Sequence, residues 1–345
     1  MPAILECIPN FSEGQDKEVI RKIAKPICSL NGVKLLNIDM GFATNRTIIT
    51  FAGTPEAVSE AAFQSIEKAS ELIDMRFHKG VHPRIGAADV IPMVPISGIT
   101  MEEAVEIAHR LAERVGEKLS IPVYCYENAA FEEKRRSLEN CRKGEYEGLQ
   151  QKLNDKGWKP DFGPAVFNEK SGATIIGARN FLVAFNVNLD TESTEIASEI
   201  ASEIRESGKI KINDNGSRVY VPGKLKYVKA IGWYIGEYKK AQVSMNLTNI
   251  NMTPVHVAFE EVKQKALNYG VKVTGSELIG LISLKALTDA GNFYNNKLNL
   301  KKNMNEKQLI DLSVEQLGLN ELRPFIINER IIECAMENKN LDKKF

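Results

Sequence analysis

Apolar and polar positions follow two different spacings along the chain. In residues 55–73 the apolar side chains recur every three or four positions, which puts them on one face of a helix. Elsewhere, short runs rich in β-branched and aromatic residues are bounded by glycine, proline or polar clusters, a pattern typical of strands. Such runs predict strands over residues 3–9, 33–38, 46–52, 87–94, 122–126, 173–176, 181–189, 227–235, 242–247 and 271–274.

Capping signals indicate where several helices begin. Thr100, followed three residues later by Glu103, has the spacing of a capping box. Ser12 is expected to cap the first helix. The charged stretch 131–156 is expected to be helical and solvated. Further helices are predicted over 55–73, 192–206, 277–282, 285–294 and 309–317 and from 253–254 onward, with a hairpin over 209–224.

The order of these elements predicts an α/β protein built from two halves. Up to residue 178 the order is β-α-β-β-α-β-α-β, and strands and helices then begin a second series. At 345 residues the chain is long for a single core, which also favours two domains. We therefore expect one subdomain over residues 1–178, a second over 179–336 and a polar tail over 337–345, with ligand bound in the cleft between the subdomains.

Composition disfavours some classes of function and indicates a cellular location. Lys plus Arg and Asp plus Glu number 45 each, so no net field favours nucleic acid or an anionic membrane. Residues 1–5 lack the basic and apolar segments of a signal peptide, and no apolar run approaches the roughly 20 residues of a membrane span. The five cysteines are far apart and form no C-x-x-C pair, which is typical of reduced thiols. The sequence therefore predicts a cytoplasmic location.

Residues 78–92 carry the most concentrated candidate chemistry. Two histidines four residues apart could form a zinc pair on a helix, but Gly80 and Pro83 disfavour a helix there, and no glutamate follows the first histidine. A turn that leads into the strand over 87–94 fits better. It would hold His82 on a rigid loop, where catalytic groups are often found. A second interpretation stays open, in which His82 only caps a turn.

Two further features are candidates for ligand binding. Residues 163–177 are rich in glycine but form neither G-x-G-x-x-G nor a Walker loop. Their spacing suits either a loop whose backbone approaches a flat ligand or a tight connection between domains. Asn10 and Asp39 each stand at the end of a predicted strand. Asn10 can face a ligand there and Asp39 can orient a histidine or bind an amino group, or each simply caps a turn or helix.

A series of short motifs runs along almost the whole chain. They lie at 6–14, 39 with 45–47, 82–90, 144–149, 163–164, 172–174 with 177–179, 184–186, 232–234, 241–247, 275–280, 324–325 and 329–333. In order and spacing these motifs resemble those of the formiminotransferase family, the folate-dependent enzymes of histidine breakdown, over residues 2–336. In animals the family domain is fused to a cyclodeaminase, and this chain is expected to be the stand-alone form that lacks one.

The resemblance implies a fold, an assembly and a folate site. It implies two α/β subdomains whose mixed sheets face each other across a tunnel that holds the folate, and it implies a homodimer. The family's catalytic histidine falls on His82. Its folate-binding segment falls on Gly163, Pro164, Ala165, Val166, Phe167, Asn168, Glu169, Lys170, Ser171 and Gly172. Residues 168–171 depart from the family, which often has an aromatic residue there, so contacts with the pterin and the choice of substrate can differ.

The reaction implied by the resemblance transfers the formimino group of N-formimino-L-glutamate to N5 of tetrahydrofolate, the co-substrate, and no metal is expected. N5 must lose a proton and the departing amine must gain one, and an imidazole of near-neutral pKa can do both. We therefore assign His82 as the general acid and base. Asp39 can orient the imidazole or hold the formimino nitrogen. Arg46 and Arg84 can pair with substrate carboxylates, and Asn10 is a further substrate contact.

Other functions stay open at this point. The same fold could act on formiminoglycine, N-formylglutamate or 5-formyltetrahydrofolate, and the altered loop at 168–171 leaves room for that. A non-catalytic folate-binding protein would tolerate the loss of His82, whereas a transferase would not. A nucleic-acid-binding module is disfavoured by the balanced charge and by the lack of a basic stripe with aromatic residues.

Overall fold

The computed structural model describes residues 3–213, 216–300 and 303–337. Within these ranges the chain forms two compact units, the first ending at Asn180 and the second covering Phe181–Glu337. Of the polar tail predicted over 337–345, all but Glu337 lies outside the described residues. No helix in the described ranges is both long enough and apolar enough to cross a bilayer.

Strands and helices alternate through the first unit. In chain order it contains β1 (Ile4–Cys7), β2 (Asn10–Phe11), α1 (Lys17–Ser29), β3 (Val33–Gly41), β4 (Arg46–Gly53), α2 (Pro55–Leu72), β5 (Ala88–Ser97), α3 (Met101–Leu119), β6 (Val123–Glu127), α4 (Leu138–Arg142), α5 (Leu149–Asn154) and β7 (Thr174–Ala178). Short 3₁₀ turns at Glu133–Arg135 and Lys156–Trp158 flank α4 and α5. The predicted α/β class is confirmed, and each strand predicted up to residue 178 is found within three residues of its predicted ends.

One seven-stranded mixed sheet forms the centre of the first unit. β1 and β2 lie end to end between β4 and β5, and β3, β4, β1, β2 and β5 pair antiparallel, whereas β5, β7 and β6 pair in parallel. The helices α1, α2 and α3 bury side chains such as Ile27, Ile66 and Leu111 together with Leu5 and Phe51 of the sheet. Successive strand residues point to opposite faces of a sheet, so the strand neighbours of Leu5 and Phe51 face away from the three helices. We call that side the free face.

The starts of α1 and α3 follow different capping signals. Asp16, not Ser12, caps α1, and its side chain accepts from two backbone N–H groups of the first turn. The prediction for Ser12 is wrong because its hydroxyl is used elsewhere, donating to the carbonyl oxygen of Gly86 at 2.7 Å. The capping box of Thr100 and Glu103 is confirmed.

The charged stretch 131–156 is not the solvated helix that its composition predicts. It forms short helical segments and turns, and Cys141, Leu149 and Leu153 are buried in a small core of their own. That core packs on the free face of the sheet, where it covers Tyr124 of β6. The prediction fails because these three apolar residues are too sparse among charged neighbours to show a periodic pattern.

The second unit has a smaller sheet. In chain order it contains β8 (Val183–Leu189), α6 (Thr194–Ile204), β9 (Lys209–Ile212), β10 (Arg218–Val221), β11 (Val228–Ile235), β12 (Lys240–Leu247), α7 (Val255–Asn268), β13 (Val273–Ile279), α8 (Leu284–Lys297), α9 (Glu306–Gln316), α10 (Ile327–Arg330) and α11 (Ile332–Glu337). The sheet order is β11-β12-β8-β13, and β9 and β10 form a separate hairpin. All described strand pairs of this unit are antiparallel, so the expected mixed pairing occurs in the first unit. A short turn joins β11 to β12, and neighbours joined so closely must run antiparallel.

One helix prediction in the second unit is wrong. Residues 277–282 were expected to be helical, but 277–279 belong to β13, which pairs with β8 along its length. Leu278 faces the core of this unit, and its neighbour Glu277 faces the other side. The apolar residues here match a helix over a single turn only, so long-range pairing decides the conformation.

Candidate functional site

Polar side chains gather on the free face of the first sheet. Alternation along β4 puts Arg46 and Thr50 on this face, and residues directly opposite each other on neighbouring strands share a face. By register this face carries Glu6, Asn10, Lys34, Asn37, Asp39, Arg46 and Thr50. All of these except Lys34 and Arg46, which are half-buried, are buried. Polar groups buried together on one face of a sheet make this face the candidate site.

His82 lies in an irregular segment between α2 and β5, as the sequence predicts. Its ring is half-buried, and Nδ1 lies 2.7 Å from the carbonyl oxygen of Pro83. A carbonyl oxygen can only accept, so Nδ1 carries the proton and the neutral ring keeps Nε2 as its base. Close backbone packing fixes the segment, because a Cβ on Gly80 would lie 2.3 Å from the carbonyl oxygen of Thr44.

Burial and two arginines keep His82 neutral. Burial is the main cause that lowers the pKa of His82 well below 6.5, and the positive charges of Arg46 and Arg142 lower it further. The hydrogen bond to Pro83 opposes this shift. At pH 7 the imidazole is therefore uncharged and able to take a proton, which is the state that a general base needs.

Replacing Arg46 with glutamine is expected to raise the pKa of His82. The substitution removes a positive charge that disfavours the imidazolium, so protonation becomes easier. A ¹H–¹³C NMR titration of the His82 ring measures this directly, and the acidic limb of an activity profile should move to higher pH with it. Lys118→Gln, at an exposed position near the end of α3, is the control and should leave the titration unchanged. An unchanged or lower pKa in R46Q would disprove the coupling.

Arg46 lies among charged neighbours on the free face. Burial and the nearby Arg142 lower the pKa of Arg46 to about 9, and the carboxylates of Asp89 and Asp39 oppose this shift. The guanidinium is therefore still a cation at pH 7. Its Nε is buried without a hydrogen-bond partner among the described residues. The structure thus brings His82, Arg46 and Asp39 into one electrostatic cluster.

Arg142, at the end of α4, is a member of this cluster that sequence analysis missed. It forms an ion pair with one oxygen of Asp89, whose other oxygen accepts from the backbone N–H of Ile85 at 2.8 Å. In the sequence Arg142 stands inside the charged stretch 131–156, where no local pattern separates it from solvated neighbours. Only the tertiary fold brings α4 to the start of β5.

Arg84 is held in a separate network. Its guanidinium pairs with Glu147 at 2.6 Å and with Glu145 at 3.1 Å, and its Nε donates to Nδ1 of His78 at 3.2 Å. The Nε2 of His78 lies 2.8 Å from the carbonyl oxygen of Asn45, so both ring nitrogens are used, in agreement with the argument against a zinc pair. Arg84 as a carboxylate ligand stays a prediction, because a substrate would have to compete with two glutamates.

The loop 163–172 is joined at its end to the segment that carries the candidate histidine. Gly86 and Gly172 form a β-bridge, and the backbone N–H of Ala173 donates to the carbonyl oxygen of Ile85 at 3.1 Å. Gly172 has φ +68°, and a Cβ there would lie 2.2 Å from the same carbonyl oxygen. Glycine is therefore required at this position for both conformation and space.

The other end of the loop is fixed in the same way. Gly163 has φ +77°, and a Cβ there would lie 2.3 Å from the carbonyl oxygen of Ile121. Within the loop the backbone N–H of Ser171 donates to Oδ1 of Asn168 at 2.9 Å. The side chains left exposed between the two ends are Ala165, Val166, Glu169 and Lys170, with Pro164, Phe167 and Asn168 half-buried. The two glycines thus shape the loop, and the residues between them are the part that a ligand can reach.

Two family models together match almost the whole chain. The model described as formiminotransferase domain, N-terminal subdomain, matches residues 4–179, and the model described as formiminotransferase domain matches residues 184–337. This chain belongs to the formiminotransferase domain family. The resemblance seen in the motifs is thereby confirmed.

Three relatives show how much of this chain is shared with proteins of the family. A glutamate formimidoyltransferase of Streptococcus pyogenes is 45% identical over 294 residues, which cover 85% of this chain and 94% of that protein. One of Thermoplasma acidophilum is 43% identical over 85% of this chain and 92% of that protein. A formimidoyltransferase-cyclodeaminase of Gallus gallus is 47% identical over 99% of this chain. The chain spans 62% of the length of that Gallus gallus protein.

The formiminotransferase domain also buries a carboxyl group that sequence analysis did not single out. Glu6 on β1 is 1% exposed, and neither carboxylate oxygen has a hydrogen-bond partner among the described residues. Burial raises the pKa of Glu6 to about 7, although the charge of Arg179 opposes the shift. The available signal was a charged residue between Leu5 and Cys7 in a short apolar strand.

Replacing Glu6 with glutamine is expected to stabilise the fold at alkaline pH. The pKa of Glu6 rises from 4.5 in the unfolded chain to about 7 in the folded one, so the folded state binds more protons between these values and loses stability as the pH rises through them. Above this window the loss approaches about 3 kcal/mol. Glutamine cannot ionise, so thermal unfolding at pH 5 and pH 8 should show a smaller fall in stability for E6Q than for wild type. Equal falls would contradict the raised pKa.

Proposed function

We propose that this chain is a glutamate formimidoyltransferase. It transfers the formimino group from N-formimino-L-glutamate to N5 of tetrahydrofolate, giving 5-formiminotetrahydrofolate and L-glutamate. The observation that carries the proposal is His82, a neutral imidazole with an unprotonated Nε2, next to the cation Arg46 and close in the fold to the loop 163–172. Relatives of this name, matched over 92% or more of their length, support it.

His82 carries the proton between the two nitrogens that exchange the formimino carbon. Nε2 takes the proton of N5 while N5 attacks, so a bond from N5 to the formimino carbon forms. The imidazolium then gives this proton to the glutamate nitrogen as the bond from that nitrogen to the same carbon breaks. No proton is gained or lost overall. The carbonyl of Pro83 holds Nδ1–H in place through both steps, and the lowered pKa makes the imidazolium a ready donor for the second.

Three polar side chains of the free face are proposed to hold the donor. Arg46 pairs with a carboxylate of the glutamate part, since it is a cation with a buried, unbonded Nε. Asp39 and Asn10 stand opposite the same residue of β4, Ile48, from its two sides, so they flank one position of the face. Asp39 can there hold the formimino nitrogen or orient His82, and Asn10 adds a polar contact.

Residues 163–172 are proposed to contact tetrahydrofolate. The half-buried ring of Phe167 lies 5.4 Å from that of Tyr146, which gives the loop an aromatic surface even though residues 168–171 contain none. Exposed Glu169 and Lys170 follow at the tip. Aromatic rings suit a flat pterin or benzoyl ring, which packs against them by offset stacking.

The expected setting is a homodimer in the cytoplasm. None of Cys7, Cys28, Cys125, Cys141 and Cys334, all described residues, is in a disulfide. Free thiols throughout a chain are typical of a reducing compartment, which supports the location. The homodimer rests on the family resemblance, and size-exclusion chromatography with light scattering tests it.

Formimino transfer can be measured by glutamate release from purified protein mixed with tetrahydrofolate and a donor. The chain should use N-formimino-L-glutamate with a kcat/KM well above that for formiminoglycine or N-formylglutamate, and release should stop when tetrahydrofolate is omitted. A higher kcat/KM for another donor would change the substrate. Tetrahydrofolate binding without transfer from any donor would mean a binding protein instead.

A further inference from the structure

Four buried polar residues form a continuous patch on the free face of the first sheet. Glu6, Asn10, Asn37 and Thr50 are each 7% exposed or less. Asn37 and Thr50 stand directly opposite each other on β3 and β4. On the other side of β4, Glu6 stands opposite Ala52 and Asn10 stands opposite Ile48. These two residues of β4 flank Thr50 on the same face. We call these four residues the sheet patch.

Five side-chain polar atoms of the sheet patch lack hydrogen-bond partners among the described residues. The unbonded atoms are both carboxylate oxygens of Glu6, Oδ1 of Asn10, Nδ2 of Asn37 and Oγ1 of Thr50. The great majority of buried polar atoms in proteins are hydrogen-bonded, so five unsatisfied atoms gathered on one face require a cause. A ligand that supplies the missing partners is such a cause.

The second unit provides an internal comparison. Its sheet also buries polar side chains on the face away from its core, and these bond one another. Gln242 donates to Asn188 at 2.8 Å and to Glu277 at 3.3 Å, and Glu277 also accepts from the hydroxyl of Tyr238 at 3.3 Å. None of these side chains is among the unsatisfied buried groups of the described residues. A buried carboxylate on a sheet of this protein can thus have hydrogen-bond partners from the chain, whereas Glu6 has none among the described residues.

The chemistry of the sheet patch selects a planar group with two adjacent N–H donors. A carboxylate accepts through both oxygens at once, so Glu6 can hold two parallel N–H groups. The Nδ2 of Asn37 is a donor, and the hydroxyl of Thr50 can donate or accept. An acceptor pair beside a donor complements a ring edge that presents an amino N–H, a ring N–H and a carbonyl oxygen in a row. The 2-amino-4-oxo edge of a pterin has this order.

Position on the sheet distinguishes the two substrates that carry such a pair of N–H groups. Glu6 stands opposite Ala52, six residues along β4 from Arg46, so about 20 Å of strand lies between Glu6 and the arginine that acts on His82. The amidinium of the donor also presents two N–H groups, but its carbon is the reacting atom and must itself reach His82. A pterin has its amino edge at the opposite end of the ring from N5, so its reacting atom lies a bicyclic ring's length from Glu6 in the direction of His82. The side chains of Glu6 and Arg46 cover the rest of the separation between their strand positions.

We propose that Glu6, with Asn37 and Thr50 beside it, is the binding site for the 2-amino-4-oxo edge of tetrahydrofolate. This site rests on the proposed function, because it needs N5 to face His82. Glu6 accepts the 2-amino N–H and the ring N–H, and Asn37 donates to the ring carbonyl. Asn10, the fourth residue of the sheet patch, lies between this edge and Arg46 and belongs to the proposed donor site.

The test compares Glu6→Gln with wild type in isothermal titrations of 5-formyltetrahydrofolate and of N-formimino-L-glutamate. Glutamine keeps the shape of the side chain but replaces an acceptor with a donor that would face a ligand N–H. The Kd for 5-formyltetrahydrofolate should rise about 10- to 100-fold, and that for N-formimino-L-glutamate should not change. Glu113→Gln, exposed on α3, is the matched control and should change neither constant. The 2-desamino analogue of 5-formyltetrahydrofolate should bind wild type as weakly as 5-formyltetrahydrofolate binds E6Q.

The outcomes separate this site from the proposed function. Weaker binding of N-formimino-L-glutamate alone would place the amidinium at Glu6 and overturn the pterin assignment. Equal Kd values for wild type and E6Q, or tight binding of the 2-desamino analogue to wild type, would overturn it as well. Wild-type protein that binds 5-formyltetrahydrofolate but transfers no formimino group would refute the proposed function, while the titrations would still decide what Glu6 binds.

Discussion

Replacing His82 with alanine is expected to lower kcat about 10²- to 10⁴-fold, the usual contribution of one positioned acid–base group. The variant loses the imidazole that removes the N5 proton and returns it to the departing glutamate nitrogen. Affinity for tetrahydrofolate should change little, since the proposed contacts to the pterin come from the loop 163–172 and from β1, β3 and β4. Steady-state kinetics with N-formimino-L-glutamate, together with a titration of 5-formyltetrahydrofolate, separate the two effects.

A second histidine serves as the control for this result. The Nε2 of His109 lies 2.8 Å from the carbonyl oxygen of Ala129, and its ring stacks on Phe131 at 4.4 Å, outside the candidate site. His109→Ala should therefore keep its kcat. Added imidazole should restore part of the turnover of H82A, because it can carry the same proton. Wild-type turnover in H82A would remove His82 from the mechanism.

Replacing Gly172 with alanine is expected to destabilise the protein by about 2–5 kcal/mol. A left-handed backbone costs a residue with a Cβ about 1–2 kcal/mol, and overpacking adds about 1–3 kcal/mol. Both apply here, because φ is +68° and the new Cβ would lie 2.2 Å from the carbonyl oxygen of Ile85 and 2.8 Å from Cα of Gly86. Relief of this overlap must separate the loop 163–172 from the segment that carries His82, so activity should fall even where the variant folds. Denaturant unfolding and kcat measure the two losses.

Gly270 offers a matched control for the same substitution. Its φ is +70°, yet a Cβ there would meet no heavy atom within 4 Å. Gly270→Ala should cost about 1–2 kcal/mol from conformation alone, with unchanged activity. If G172A and G270A lost the same free energy of unfolding, the close approach of the new Cβ at residue 172 to Ile85 would contribute nothing to the loss.

Local sequence patterns predict most helices and strands of the fold. They fail where a contact with a distant part of the chain determines the local conformation. Thr100 and Glu103 cap α3 through neighbours three residues apart, so sequence alone was sufficient. Ser12 has the chemistry of a cap but donates to Gly86, which is 74 residues away. Residues 277–282 carry a weak helical pattern, and pairing of β13 with β8 overrides it. In each failure the deciding partner lies far along the chain.

The residues of the candidate site also fall into two groups, those that the sequence predicts and those that only the structure reveals. His82, Asp39 and Arg46 lie within motifs of the family, and the structure brings the neutral imidazole and the two charged groups into one electrostatic cluster. Arg142 joins them only because α4 folds back to the start of β5, which no local spacing reveals. Glu6 lies within the first motif, but its missing partners appear only when β1 is placed between β4 and β5.

A crystal structure of the protein with 5-formyltetrahydrofolate tests the central claim most directly. We expect the pterin on the free face of the first sheet, with N5 or its formyl group about 3 Å from Nε2 of His82, the separation that proton transfer requires. A pterin bound elsewhere, or one whose N5 end points away from His82, would contradict the role of this imidazole.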